Sequence, residues 1–206
     1  MDMKEHWEKI YREKKPTEVS WFQREPLRSL EWIRLSTPST DAALLDVGSG
    51  ASFLVDRLLD LGYGNISVLD VSGTALRGTR ERLGDRARGV RFLEADVTRC
   101  DADLSCDLWH DRAVFHFLTD AEDRRRYVEQ VRRSLRPGGH LILAAFAPDG
   151  PEKCSGLPVQ RYDAGLVRGE FGSGFMLLRE EAELHRTPAD REQRFRYFLF
   201  RRVDAG

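Results

Sequence analysis

The chain has 206 residues, 41% of them hydrophobic and 33% charged, with 33 basic against 34 acidic side chains and a formal net charge of −1. That length suits one α/β domain with at most a small extension, and it is enough to bury most of the unfolded surface around one core. The charge balance excludes a broad basic field for nucleic acid or a membrane surface. No apolar run approaches the roughly 20 residues that cross a bilayer. The start, Met1-Asp2-Met3-Lys4-Glu5-His6-Trp7, has no apolar signal core. Cys100, Cys106 and Cys154 form neither a disulfide framework nor a CxxC pair. The five histidines offer no zinc spacing, so no metal is expected. A reducing, cytoplasmic setting is the expectation.

Trp7, Ile10 and Tyr11 fall at i, i+3 and i+4, which predicts an amphipathic helix ended by Lys14-Lys15-Pro16. An aromatic loop, Val19-Ser20-Trp21-Phe22, leads to a second helix from Pro26, with Leu27, Leu30 and Ile33 or Trp32 on one face and Pro38 past its end. Residues 1–40 read as a helical cap on a core over 41–206, together one domain. Strand and helix then alternate. Leu44-Leu45-Asp46-Val47 predicts a buried strand, Leu54, Val55, Leu58 and Leu59 a helix that Gly62 stops, and 66–71 a second strand. Ala75, Leu76, Thr79 and Leu83 predict the next helix, followed by strands near 90–93 and 106–110. Thr119 and Glu122 have capping-box spacing ahead of a stripe of Tyr127 or Val128, Val131 and Leu135, which Arg136-Pro137-Gly138-Gly139 breaks. Residues 140–147 are an apolar run too short for a helix and read as a strand. A short helix near 162–170 precedes two long runs, 175–185 and 194–202, which read as an antiparallel pair. Repeated β-α units imply a Rossmann-like, doubly wound, mostly parallel sheet with helices on both faces. Ligands on such sheets bind at the carboxyl ends of the strands.

The first strand ends in Asp46-Val47-Gly48-Ser49-Gly50-Ala51-Ser52, where glycines permit a tight turn and close approach of a ligand. The second ends in Asp70, twenty residues after Gly50, where a carboxylate can accept from both hydroxyls of a ribose. An N-cap role is the competing reading, but Ser72 is better placed for it. A carboxylate in Glu94-Ala95-Asp96-Val97 suits an adenine amino group or a solvated loop. Trp109-His110-Asp111-Arg112 ends the fourth strand, and Arg112 can pair with Asp111. No Gly-Lys-Ser/Thr tripeptide follows the glycine loop, which excludes a phosphate-binding P-loop. A dinucleotide fingerprint needs a third glycine at position 53, where Phe53 stands. Asp46 would repel a diphosphate and suits a cationic ligand bearing an amino group and a sulfonium.

These residues resemble the class I S-adenosylmethionine-dependent methyltransferases. Leu44-Leu45-Asp46-Val47-Gly48-Ser49-Gly50 is similar to their first motif and Val68-Leu69-Asp70-Val71-Ser72 to the ribose-binding second. Glu94-Ala95-Asp96-Val97 is similar to the adenine-side third, and Leu135-Arg136-Pro137-Gly138-Gly139-His140-Leu141 to the turn before their fifth strand. The terminal antiparallel pair resembles the hairpin that completes their seven-stranded fold. The resemblance spans about residues 41–203, and it departs at Ser52, where the family has a final glycine. A narrower resemblance extends to Trp7-Glu8-Lys9-Ile10-Tyr11 and Ser20-Trp21-Phe22, which are similar to the methyltransferase-like proteins related to lysine methyltransferases of elongation factor 1A. Members of that group often carry Asp-Lys-Gly after strand four, where this chain has His110-Asp111-Arg112. Small-molecule thiol methyltransferases carry a similar aromatic cap.

The resemblance implies methyl transfer from S-adenosylmethionine, leaving S-adenosylhomocysteine, to a small-molecule or protein nucleophile. It implies cofactor contacts from Asp46, Gly48, Ser49, Gly50 and Ser52, from Asp70 and Val71, and from Asp96, Val97 and Asp111. Tyr11 and Trp21 are candidates to close over the cofactor with cation–π contact, or simply to pack. Trp21, Arg161 and Tyr162 are substrate candidates, the Arg161-Tyr162 pair also suiting a helix cap. His110, Asp111 and His116 are the candidates for a general base, His116 competing with a structural role in an apolar helix start. A cofactor-binding sensor without transfer activity and a dinucleotide-dependent oxidoreductase are the alternatives.

Overall fold

The computed structural model describes residues 2–203. Helices α1 (Met3–Glu13) and α2 (Leu27–Ser36) precede β1 (Leu44–Val47), α3 (Leu54–Asp60), β2 (Ile66–Asp70), α4 (Gly73–Leu83), β3 (Val90–Glu94) and β4 (Cys106–Arg112). Then come α5 (Ala121–Ser134), β5 (Leu135–Phe146), the short hairpin of β6 (Lys153–Cys154) and β7 (Leu157–Pro158), α6 (Ala164–Phe171), β8 (Phe175–Arg186) and β9 (Glu192–Arg202). The main sheet has seven strands in the order β3-β2-β1-β4-β5-β9-β8. The first five run parallel, and β9 runs antiparallel to both β5 and β8. Strand order reverses between β1 and β4, whose carboxyl ends pair Val47 with Asp111.

Period-two alternation sorts the strand residues onto two cores. Leu45, Trp109, Leu141, Leu143 and Phe198 meet Tyr127, Val128 and Val131 of α5 and Phe171 of α6. Leu44, Val68, Leu108, Ile142 and Tyr197 meet Trp32 and Ile33 of α2, Leu54 and Leu58 of α3 and Leu76 of α4. The same alternation sends Asp46 and His110, register partners across β1 and β4, toward α2, while Asp111 goes toward α5.

Several local expectations need correction. The α5 N-cap is Asp120, which accepts from the N–H groups of Glu122 and Asp123 at 2.9 and 3.3 Å, and not Thr119. A carboxylate at a helix N-terminus also complements the helix dipole. β4 runs two residues beyond His110, to Arg112. β5 begins at Leu135 directly after α5, so Arg136-Pro137-Gly138-Gly139 lies in the strand. Gly139 fits there because a Cβ would stand 2.8 Å from the carbonyl oxygens of Arg136 and Asp107. On α2 the buried face is Ser29, Trp32 and Ile33, whereas Leu27 is 69% exposed. Trp32 sets that phase by packing edge-on against Tyr197 at 5.6 Å.

α1 lies across the carboxyl ends of the strands. Asp2 caps it through Lys4 N–H at 2.8 Å. Glu8 reaches the start of α4, accepting from the Ser72 hydroxyl at 3.2 Å and the Thr74 N–H at 3.1 Å. Lys4 pairs with Glu94 at 2.6 Å.

Candidate active site

A cavity of about 700 Å³ opens where β1, β2, β3 and β4 end beneath α1. That volume is within the range of small-ligand sites. Val47, Gly48, Asp70, Val71, Asp96 and Val97 wall one side, and Trp7, Tyr11 and Trp21 of the cap wall the other. At the end of β4 and beyond it the walls are Arg112, Ala113, Val114, Phe117, Leu118, Asp123 and Cys154.

The glycine loop is shaped by close neighbours. Gly48 and Gly50 have φ of +63° and +50°, which side chains other than glycine rarely adopt. A Cβ on Gly48 would overlap Val114, and one on Gly50 would overlap the Tyr11 hydroxyl. The loop is also tied down from α4: Thr79 Oγ1 donates to Gly50 O at 3.1 Å, and Arg82 donates to Ser52 O at 2.6 Å. Ser52 turns its own hydroxyl to the Leu54 N–H at 3.1 Å. These contacts fix the shape of the loop.

Asp70 is buried and already oriented. Its Oδ2 accepts from Gly50 N–H at 2.8 Å and its Oδ1 from Ser72 N–H at 2.8 Å. Ser72 does cap α4, accepting from Ala75 N–H at 3.2 Å, but it also engages Asp70, which is fixed by two backbone donors and not free of partners. Each oxygen keeps a second lone pair for a ligand donor. Burial lifts this carboxyl to about 6 against those two donors, with Asp46 and Glu8 pushing the same way. Burial, with Asp70 beside it, likewise pushes the Tyr11 phenol well above its ordinary value. Asp96, more exposed, accepts from Thr98 N–H at 2.9 Å and Thr98 Oγ1 at 2.7 Å in a tight turn beside buried Val97.

A smaller cavity of about 40 Å³ lies under the aromatic loop, and Trp21, Val47, Gly48 and Arg112 border both spaces. Asp46, Ser49 and Ser52 line it. Asp46 Oδ1 bonds His110 Nδ1 at 2.7 Å, whereas Asp46 Oδ2 and Ser49 Oγ are buried with no partner. Such orphaned atoms are costly unless a ligand or water meets them.

The other named residues lie away from the main cavity. Asp111 is fully buried on the α5 face. It accepts from Val114 N–H at 2.8 Å, Phe115 N–H at 3.1 Å and the Tyr127 hydroxyl at 2.5 Å. Burial lifts it to about 6 even so. Its work there is to hold the turn after β4. His116 is fully buried with both ring nitrogens unpartnered, and burial drives it down to about 3, so it is a poor proton acceptor. Tyr162 packs on Phe115 at 5.1 Å. Arg161 donates to Gly150 O at 3.3 Å, and Asp163 caps α6. The pair neither reaches the cavity nor caps that helix.

Sequence reading passed over Lys4, Trp7, Arg112 and Phe117 as wall residues. Trp7 was visible as part of the amphipathic stripe, and its ring wedges between Trp21 at 5.6 Å and Phe117 at 5.1 Å. Lys4 gave no signal, because its partner Glu94 is 90 residues away. The sequence marks Glu94 as part of the motif after the third strand, with a carboxylate for an adenine amino group or a solvated loop, and the structure sets it level with Asp70.

The donor set fits S-adenosylmethionine. Acidic and orphaned groups stand where a cationic amino-acid end would lie, a fixed carboxylate follows β2, and glycines leave room for the ligand's backbone approach. It does not fit a dinucleotide: Phe53 fills the third-glycine position, packed edge-on against Phe22 at 5.7 Å and beneath the Arg82 guanidinium at 4.3 Å. Fold and cleft together define the class I methyltransferase architecture.

Comparison with known proteins agrees. Residues 45–143 match the family model described as a methyltransferase domain. EEF1A lysine methyltransferase 2 of Danio rerio is 26% identical over 192 residues, covering 81% of this chain and 82% of that protein. A solved structure from work on the conversion of a disulfide bond into a thioacetal group during echinomycin biosynthesis superposes with a TM-score of 0.78 at 22% identity, covering 98% of this chain and 94% of that one. The N-methyltransferase NodS of Bradyrhizobium japonicum WM9, in complex with S-adenosyl-L-homocysteine, gives 0.69 at 15% identity, covering 97% and 100%. The chain is an S-adenosylmethionine-dependent methyltransferase of the class I fold. Among the described residues no helix is long and apolar enough to cross a membrane.

Proposed function

We propose that this methyltransferase acts on a small molecule whose nucleophilic atom arrives unprotonated beneath the aromatic cap. The observation that carries this reading is the wall at and beyond the end of β4: facing Trp7 and Trp21 of the cap, it consists of Arg112, Ala113, Val114, Phe117, Leu118, Cys154 and a single carboxylate, Asp123 of α5. Among the described residues no imidazole stands in that set, and a carboxylate is a weak base toward an amine or thiol proton. Burial raises the Cys154 thiol to about 11, so near neutrality it keeps its own proton and takes up none. A thiolate or a neutral amine needs no base there. When bound, S-adenosylmethionine supplies an activated methyl group on a sulfonium. The chain's contribution is alignment and exclusion of water. In this reading Asp70 accepts from the ribose, and Asp96 and Val97 border the adenine. Asp46 and the loop Gly48–Ser52 receive the amino-acid end, while Tyr11 and Trp21 close over the cofactor. A reducing, cytoplasmic setting fits three free, buried cysteines.

The test incubates the protein with methyl-labelled cofactor and a cell extract, then separates small molecules from macromolecules. Label in the small-molecule fraction is expected. Label confined to protein would overturn the acceptor and favour the lysine chemistry of the zebrafish relative. Binding of S-adenosylhomocysteine with no transfer to either fraction would favour a sensor.

A further inference from the structure

We infer that His110 is a positioning residue that fixes Asp46 for the cofactor's ammonium group. The inference rests on the proposed placement of the cofactor's amino-acid end beside Asp46.

Its basis is a buried chain of side chains joining the cap to the loop. Arg112 Nε lies 3.1 Å from the Tyr197 hydroxyl, which lies 3.3 Å from Ser29 Oγ. Ser29 Oγ lies 2.8 Å from His110 Nε2, and His110 Nδ1 lies 2.7 Å from Asp46 Oδ1. With a neutral imidazole and an ionised carboxylate, one proton arrangement satisfies every link. Arginine can only donate, so the Tyr197 oxygen accepts from it and passes its own proton toward Ser29. Ser29 then donates to His110 Nε2, which leaves Nδ1–H to donate to Asp46. All four bonds point the same way, from a guanidinium to a carboxylate, and such aligned bonds polarise one another.

The result is a carboxylate held by one oxygen. Asp46 Oδ2 stays buried and unpartnered, and the residue borders the small cavity beneath Trp21. A cationic donor is the partner that this oxygen lacks. Asp, His and Ser in hydrogen-bonded series also form the constellation of serine hydrolases. Here Ser29 is fully buried between α2 and the sheet, and the cavity beside it is about 40 Å³. An acyl substrate has no room there, so the series serves to orient and not to attack. The chain also ends on the cap loop, because Arg112 Nη1 donates to Trp21 O at 3.2 Å.

Two substitutions divide the links of His110. His110→Asn keeps an amide N–H near the Nδ1 position, within reach of Asp46, and gives up Ser29. His110→Gln places its amide near Nε2, toward Ser29, and gives up Asp46. Calorimetry would use two probes: S-adenosylhomocysteine, which carries the amino-acid end, and 5′-methylthioadenosine, which lacks it. The expected result for His110→Gln is at least about a tenfold weaker Kd for S-adenosylhomocysteine with 5′-methylthioadenosine within about threefold of wild type. His110→Asn is expected to hold both within about threefold. A general packing defect would weaken both probes alike, and that result overturns the inference. Asp46→Asn separates the underlying reading. If it spares S-adenosylhomocysteine, the placement of the ammonium fails. If it weakens that probe selectively while His110→Gln does not, the placement stands and the role of His110 fails.

Discussion

Replacing His116 with Phe is expected to remove an acid-sensitive component of stability. The imidazole has no exposed surface and no hydrogen-bond partner, and it sits among Phe117, Phe146 and Phe195 with ring centroids 4.5, 4.7 and 6.5 Å away. Burial, with Arg112 adding repulsion, moves its pKa from 6.5 to about 3. In the unfolded chain it takes up a proton near 6.5, while the folded protein keeps it neutral. The unfolded state therefore binds more protons between about pH 3 and 6.5, so stability falls as pH drops through that window. One pKa unit corresponds to about 1.4 kcal/mol, so at pH 5 the loss from this group is about 2 kcal/mol. Asp70 and Asp111, both lifted to about 6, act in the opposite sense. Their folded carboxyls take protons before the unfolded ones, so they add stability as pH falls from about 6 to 4. The wild-type curve is the sum of these effects, and the difference between wild type and His116→Phe isolates the imidazole. Urea denaturation at about pH 7.5 and pH 5 measures that difference. It should shift by about 2 kcal/mol in favour of the variant at the lower pH. The same difference at both values would refute burial of a neutral, unpartnered ring. Loss of methyl transfer in a folded variant would return His116 to the list of bases.

Three further substitutions test the site and its supports. Gly50→Ala sets a methyl against the Tyr11 hydroxyl at a φ of +50° and should cost about 1–2 kcal/mol in backbone strain alone. Calorimetry should show weaker S-adenosylhomocysteine binding, and unchanged affinity and melting temperature would contradict the close approach. Tyr127→Phe removes a hydroxyl that donates to Asp111 at 2.5 Å and accepts from Trp109 Nε1 at 3.0 Å. Leaving both buried groups short of a partner should destabilise by about 2–4 kcal/mol in urea, and a loss near zero would dispute the network. Glu8→Ala removes the carboxylate that meets Ser72 and Thr74, at an expected cost of about 1 kcal/mol, and should speed proteolysis within the first twenty residues. An unchanged cleavage rate would deny that this contact docks α1.

The parts of the fold that sequence reading located are those written in local pattern. Strand runs between glycines and the 3.6-residue stripes placed the alternating units, and Asp46, Gly48, Gly50 and Asp70 fell at strand ends because chain order determines which residues end strands. What it missed depended on side-chain parity and distance. Adjacent His110 and Asp111 must face opposite sides of a strand, but β4 is covered on both faces, so nothing local told which of them meets α2 and which α5. Only the pairing of β1 with β4 sets Asp46 beside His110. α2 turned its buried face toward Ser29 and Trp32 because a large indole meets Tyr197, a residue 165 positions later that no helical periodicity reports. Arg161 and Tyr162 were read as substrate contacts because they follow β5, yet the intervening β6–β7 hairpin presents Cys154 to the cavity instead.

The two cap helices are held in unequal ways, and this bears on which one yields to a ligand. α2 buries Ser29, Trp32 and Ile33 against the sheet, so releasing it would expose core. Although the Tyr11 hydroxyl is enclosed beside Gly50, α1 buries no whole residue. Its ties are an ion pair between two side chains that are 53% and 44% exposed, the Glu8 contact with α4, and ring contacts of Trp7 and Tyr11. Exposed ion pairs contribute little, and each aromatic pair adds about 0.5–1.5 kcal/mol. Local opening draws on segments held this weakly, well before the core responds. Yet Lys4, Trp7 and Tyr11 wall the main cavity. α1 is therefore expected to open ahead of α2, and hydrogen exchange showing equal protection of the two helices would contradict this.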